Sequence, residues 1–194
     1  MKKRQLNKKE IEAIQDLAKK KLIEYCKFND IIGTNIFSIL ERDNKVLYYP
    51  LEDQKVWGFS EVIQDRAFVC INTSLPYDKQ VFAAAHELYH IWFGGSGEIM
   101  TSKDTQEPDS DDEIELYANR FAAEFLINEE LLRQEIKIFN MDKDDLNIKD
   151  IVRLSNLFVV ACRTMVRRLH ETGILGSKEF EKYISYTDNQ AEVW

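Results

Sequence analysis

Hydrophobic positions recur at helical spacing near the start of the chain. Ile11, Ile14, Ala18, Leu22 and Tyr25 share one face, Leu17 widens the stripe, and Lys19, Lys20 and Lys21 cluster towards its end. Asn7 followed three residues later by Glu10 has the form of a helix N-terminus. The pattern therefore predicts an amphipathic helix over residues 8–26. A second, short helix is predicted from Thr34 to Arg42, with Ile36, Phe37 and Leu40 inward and Asp43-Asn44 breaking it. The period then changes. Lys45–Tyr49, Lys55–Ile63 and Arg66–Ile71 are rich in Val, Ile, Phe, Tyr and Trp, with turn residues between them. Such runs read as strands. Gln64-Asp65 is short enough to close a hairpin, and a small, mostly antiparallel sheet is the economical arrangement.

Asn72-Thr73-Ser74-Leu75-Pro76 leads out of the sheet into a predicted helix from Asp78 to Phe93, ended by the run Gly94-Gly95-Ser96-Gly97. Residues 101–112 are polar and read as a loop. Ser110 and Glu113 form a capping-box pattern, with Asp111 and Asp112 in a first turn whose dipole favours anions. A helix from Asp111 to Ile127 is expected to follow. Residues 129–183 are helical in pattern, with breaks near Asn140–Leu146, Asn156–Val159 and Gly173. The organisation reads as an α+β core over residues 1–128, followed by a helical C-terminal subdomain over 129–194 packed on it.

Composition narrows the function. A hydrophobic content of 44% is enough for a core, while 34 acidic against 26 basic residues leave a net charge of −8. That balance disfavours a protein whose main task is gripping nucleic acid, which rests on neutralising phosphates. Cys26, Cys70 and Cys162 have no metal-ligand spacing and lie in apolar surroundings, as expected of buried thiols in a reducing compartment. Met1-Lys2-Lys3-Arg4 is not followed by an apolar run, and no apolar stretch is long enough to span a bilayer. A cytoplasmic protein is expected.

The chemistry concentrates in His86-Glu87-Leu88-Tyr89-His90. Histidines four apart on a helix project from one face and can bind one metal ion, with Glu87 beside them. Zinc lowers the pKa of a bound water towards ~7, and a carboxylate can then take its proton during attack on a carbonyl. A catalytic zinc also needs a third protein ligand. His170 lies beside Arg167 and Arg168, whose charge opposes a nearby metal. Asp111, Asp112 and Glu113 are explained as helix N-terminal charges. Glu115 stands past the capping turn, with Asn119 at i+4 placed to orient a ligand by a hydrogen bond. Residue pattern alone leaves the third ligand open between Glu115 and a neighbouring acid.

Phe82-Ala83-Ala84-Ala85-His86-Glu87-Leu88-Tyr89-His90 and Glu115-Leu116-Tyr117-Ala118-Asn119-Arg120-Phe121-Ala122-Ala123-Glu124-Phe125-Leu126 resemble the two signature helices of the ImmA/IrrE metallopeptidases. Gly58-Phe59 and Ile71-Asn72 also match. The resemblance implies a zincin-like fold with an active-site helix, His86, His90 and Glu115 as zinc ligands, and Glu87 as general base. It further implies that a substrate strand pairs with a sheet edge, here expected at Arg66–Ile71, and that the substrate is a helix-turn-helix repressor of a phage or mobile element. Tyr89 stands where many members of that family carry a small residue. Packing is its default role, with a contribution to oxyanion stabilisation left open.

Asp150–Leu175 has a helix-turn-helix look, and its second helix carries Arg163, Arg167 and Arg168. Packing or partner docking is favoured over DNA reading, given the acidic charge. His170 is expected at the surface. The alternatives to a peptidase are a DNA-binding regulator that keeps the zincin fold as a sensor, and a repressor-binding module with little or no turnover. The oligomeric state is not legible.

Overall fold

A computed structural model describes residues 4–25, 27–64, 66–94, 100–101, 113–142 and 146–189. The elements run in the order α1 (Lys8–Glu24), α2 (Asn35–Asp43), β1 (Lys45–Tyr49), β2 (Gly58–Ile63), β3 (Arg66–Asn72), α3 (Tyr77–Phe93), β4 (Met100–Thr101), α4 (Glu113–Leu126), α5 (Glu129–Ile138), α6 (Ile148–Phe158), α7 (Cys162–Glu171) and α8 (Ser177–Asn189). This is the α+β architecture that the patterning predicts. The capping box of α1 is present: the Asn7 side chain accepts from Lys9 N and Glu10 N, and the Glu10 carboxylate accepts from Asn7 N at 2.7 Å. Asp65, residues 95–99, the expected Ser110 cap, Asp111 and Asp112 lie outside the described residues.

The sheet has the order β1-β3-β2-β4. The β2–β3 hairpin closes as expected, with Ile63 opposite Arg66, and β2 pairs antiparallel with β4. By contrast, β1 pairs parallel with β3. The sheet is therefore mixed, because residues 50–57 carry the chain past the place that β3 later fills. The buried Asn72 side chain holds that crossing: its Oδ1 accepts from Leu51 N at 2.9 Å and its Nδ2 donates to Val56 O at 2.8 Å. Val56 and Trp57 belong to this connection and not to the strand expected from Lys55.

One expectation is overturned here. Arg66–Ile71 is not an edge available to a substrate strand, because β3 is flanked by β1 and β2. The sheet edges among the described residues belong to β1 and β4.

Alternation along β2 and β3 sends Gly58, Ser60, Ala67, Val69 and Ile71 towards α3. In α3, Val81 and every residue from Ala83 to His90 are buried. A helix apolar all round belongs in a core, and α3 packs against β2, β3, α2 and α4, with α1 behind α4. The core cluster continues through Leu131, Leu132, Ile151, Leu154, Phe158, Met165 and Leu169 into the C-terminal helices. No helix among the described residues is long and apolar enough to cross a membrane.

Candidate metal centre

Both expected histidines lie inside the protein, His86 fully buried and His90 nearly so. Their positions four apart on α3 turn the two Nε2 atoms towards each other at 3.0 Å. Glu115, in the first turn of the described part of α4, brings its carboxylate to them: Oε2 lies 3.2 Å from His86 Nε2 and Oε1 lies 3.3 Å from His90 Nε2. The three side chains form a buried group that could hold a metal ion.

The tautomer of His86 sharpens this fit. Its Nδ1 is 3.0 Å from Asn119 Oδ1, an atom that only accepts, so Nδ1–H donates and the neutral ring keeps its lone pair on Nε2. That lone pair faces a second imidazole nitrogen and a carboxylate. Such convergence is stable only with positive charge between the groups, supplied by a proton or a metal ion. Glu115 Oε2 has no directed hydrogen bond despite its nearness to His86, as suits an atom aimed at a shared centre. Ligand bonds of 2.0–2.1 Å in a tetrahedron put neighbouring donor atoms about 3.3 Å apart. The separations found, 3.0, 3.2 and 3.3 Å, match that spacing.

The electrostatics follow from burial and proximity. Burial alone pushes against a charged His86 ring, yet the Glu115 carboxylate 3.2 Å away and the Glu87 charge outweigh it and raise the pKa. Burial likewise works against the Glu115 carboxylate, and the two histidines overcome it, holding the group down at about 2. Glu87 goes the other way. Desolvation raises it, and the nearby histidines and the Ser60 hydroxyl only partly compensate.

Glu87 is completely buried, accepts from Ser60 Oγ at 2.8 Å through Oε2, and has no partner at Oε1. Ser60 was not anticipated. The readable signal is the alternation Gly58-x-Ser60, which places two small residues on the helix-facing side of β2. Gly58 is needed for space: a Cβ there would come within 3.0 Å of the Cys70 carbonyl oxygen and 3.5 Å of Glu87 Cγ.

The other candidates find their places. Tyr89 is buried, its ring packed against Phe93 and Phe121 and edge-on to His90, the packing expected of it by default. His170 stacks on Phe180 and lies 3.0 Å from Leu175 O through Nδ1. Arg168 is buried and paired with an acid, in line with the favoured packing of this helix: its Nε donates to Ile127 O and its Nη atoms reach the Glu124 carboxylate. Cys70 and Cys162 are free thiols that burial pushes up in pKa. Cys26 lies outside the described residues.

No curated protein matches the chain in comparison. A model of the M78 peptidases, described as the IrrE N-terminal-like domain, matches residues 41–170. That match covers about two thirds of the 194 residues and takes in Ser60, His86, Glu87, His90, Glu115 and Asn119. With both helices of the buried His-His-Glu group inside the matched span, the chain belongs to the M78 peptidase family.

Proposed function

We propose that this protein is a zinc-dependent endopeptidase of the cytoplasm, and that its substrate is a helix-turn-helix repressor of a phage or mobile element. The observation that carries the reading is the convergence of His86 Nε2, His90 Nε2 and the Glu115 carboxylate beside a buried Glu87 with one unpartnered oxygen. His86, His90 and Glu115 would hold the zinc. When bound, it supplies a Lewis acid for the scissile carbonyl and makes water acidic enough to ionise near neutral pH.

The protein's own groups divide the remaining work. Asn119 keeps the His86 lone pair on Nε2 by accepting from Nδ1. Glu115 stays ionised and offsets positive charge in the centre. Glu87 takes a proton at Oε1 and returns it to the leaving amine. Its raised pKa suits both halves of that cycle, because a base far below the working pH holds a proton too weakly to pass it on. Burial of His86, Glu87, His90 and Glu115 keeps bulk water from screening them. The repressor assignment rests on the family resemblance of the two helices. A DNA-reading role for α7 is disfavoured by the burial of Arg168 against Glu124.

Co-expression with a neighbouring helix-turn-helix repressor tests the reading. Wild type should generate repressor fragments. Glu87→Gln should retain zinc, one ion per chain, and generate none. Fragments at the wild-type level from Glu87→Gln would sink the mechanism. Bound zinc, repressor captured intact and no fragments from wild type would favour a binding module without turnover.

A further inference from the structure

We propose that Ser60 on β2 is a positioning residue for the reaction, acting through Glu87. It fixes the carboxylate so that Oε1 alone faces the reacting proton. This assignment rests on the peptidase reading of the same centre and deepens it.

The carboxylate torsion of a glutamate is broad and nearly two-fold, so a free Glu87 would present either oxygen in many orientations. Here Ser60 Oγ–H donates to Oε2 at 2.8 Å, with both residues buried. A carboxylate only accepts, so the direction of that bond is fixed, and it leaves the second oxygen without a partner. Leaving Oε1 open is the arrangement that a proton acceptor needs.

The seat is built by the strand. Gly58 and Ser60 lie two apart on the helix-facing side of β2. At Gly58 a Cβ would crowd the Cys70 carbonyl oxygen at 3.0 Å while only touching the Glu87 stem at 3.5 Å, so the glycine serves the strand pairing and the serine holds the carboxylate head. Hydrogen bonds to the β3 backbone keep this stretch of β2 in register, with Gly58 opposite Ile71 and Ser60 opposite Val69. A rigid strand thus orients a side chain of a helix, which is more precise support than a loop offers.

The test uses the zinc-loaded full chain and acetohydroxamic acid, a chelator whose ionisable proton passes to an adjacent base. Ser60→Ala and the near-isosteric Ser60→Cys should keep one zinc per chain. Each should weaken acetohydroxamate binding by about 10- to 100-fold, the loss seen when a supporting hydrogen bond to a charged group is removed. Ser60→Thr, which keeps the hydroxyl, should restore affinity to within about threefold. In a Glu87→Gln background, Ser60→Ala should change nothing further, since a residue that works through Glu87 has nothing left to act on. On a cleaved repressor, kcat should fall in Ser60→Ala while KM stays unchanged. Additive losses in the double variant, unchanged affinity in Ser60→Cys, or Ser60→Thr as weak as Ser60→Cys would overturn the assignment. Should Ser60→Ala fail to fold, the Cys and Thr pair decides, each also combined with Glu87→Gln. Wild type without turnover but with the coupling intact removes the peptidase reading alone. Turnover with additive losses removes Ser60 alone.

Discussion

Arg168→Met should destabilise the protein far more than an exposed arginine would. The guanidinium is 1% exposed and makes three bonds: Nε to Ile127 O at 3.0 Å, Nη1 to Glu124 Oε1 at 2.8 Å, and Nη2 to Glu124 Oε2. Removing one partner of a buried ion pair costs about 3–5 kcal/mol. Arg120 and Gln15 still reach the stranded Glu124 carboxylate, which favours the lower end. The Ile127 carbonyl also loses its side-chain donor, adding about 1 kcal/mol. The sum is about 4 kcal/mol, or a fall in melting temperature of roughly 8–16 °C for a chain of this length. Arg168→Met with Glu124→Met removes both charges, and Arg120 keeps Glu171 at 2.8 Å, so the double variant should lose only about 1–2 kcal/mol. Urea unfolding at constant saturating zinc measures both, with an unchanged slope required for comparison. A single variant within about 1 kcal/mol of wild type, or a double variant as unstable as the two singles combined, would refute the anchoring role. Either result would return Arg168 to the surface and reopen a DNA-facing role for α7.

Other outcomes follow from the same structure. Glu115→Ala should lower zinc occupancy, measured by metal analysis after dialysis; unchanged content would transfer the ligand role to a neighbouring acid. Asn119→Ala should weaken zinc by about 10- to 100-fold through loss of the His86 tautomer lock, read by chelator competition. Zinc at about a hundredfold above its dissociation constant should add about 2.7 kcal/mol and raise the melting temperature by roughly 5–11 °C, whereas no zinc-dependent shift would remove the metal centre. The tie between the chain start and α4 sets a pH response. Arg4 and then Tyr117 hold the Glu113 carboxylate down at about 2, and the backbone of Asn7 leads the contacts that lower Glu10. Depressed acids stabilise above their ordinary value of 4.5 and lose that contribution as pH falls towards the folded value. The tie should therefore hold at pH 5 and open as Glu113 titrates near 2. Carboxyl carbon shifts in NMR would show this, and a Glu113 midpoint at 4.5 would contradict it.

What the chain discloses by its sequence is what short-range spacing controls. His86, Glu87 and His90 are legible because a helix fixes their relation within one turn. Glu115 and Asn119 are legible as a pair for the same reason, but their approach to the histidines depends on the packing of α4 on α3. Strand order is a long-range property. The Arg66–Ile71 run has the composition of a strand in either position, and only its pairing on both sides shows that it is central. The burial of Arg168 is long-range too: its sequence neighbours are those of a surface cation, and the acid that draws it inward is 44 residues away.

That division also explains how the centre is assembled. Helix α3 alone supplies two nitrogen donors and a carboxylate, yet on α3 alone none of the three has a defined protonation state. Asn119 on α4 decides which nitrogen of His86 carries the proton, Glu115 on α4 sets the charge that the histidines face, and Ser60 on β2 decides which oxygen of Glu87 is open. Each of these acts across an interface between elements and not within one. A substitution that loosens α4 or shifts the register of β2 should therefore leave the His-Glu-x-x-His sequence intact and still remove its function. The five-residue segment marks where the chemistry lies, and the packing around it determines which chemistry that is.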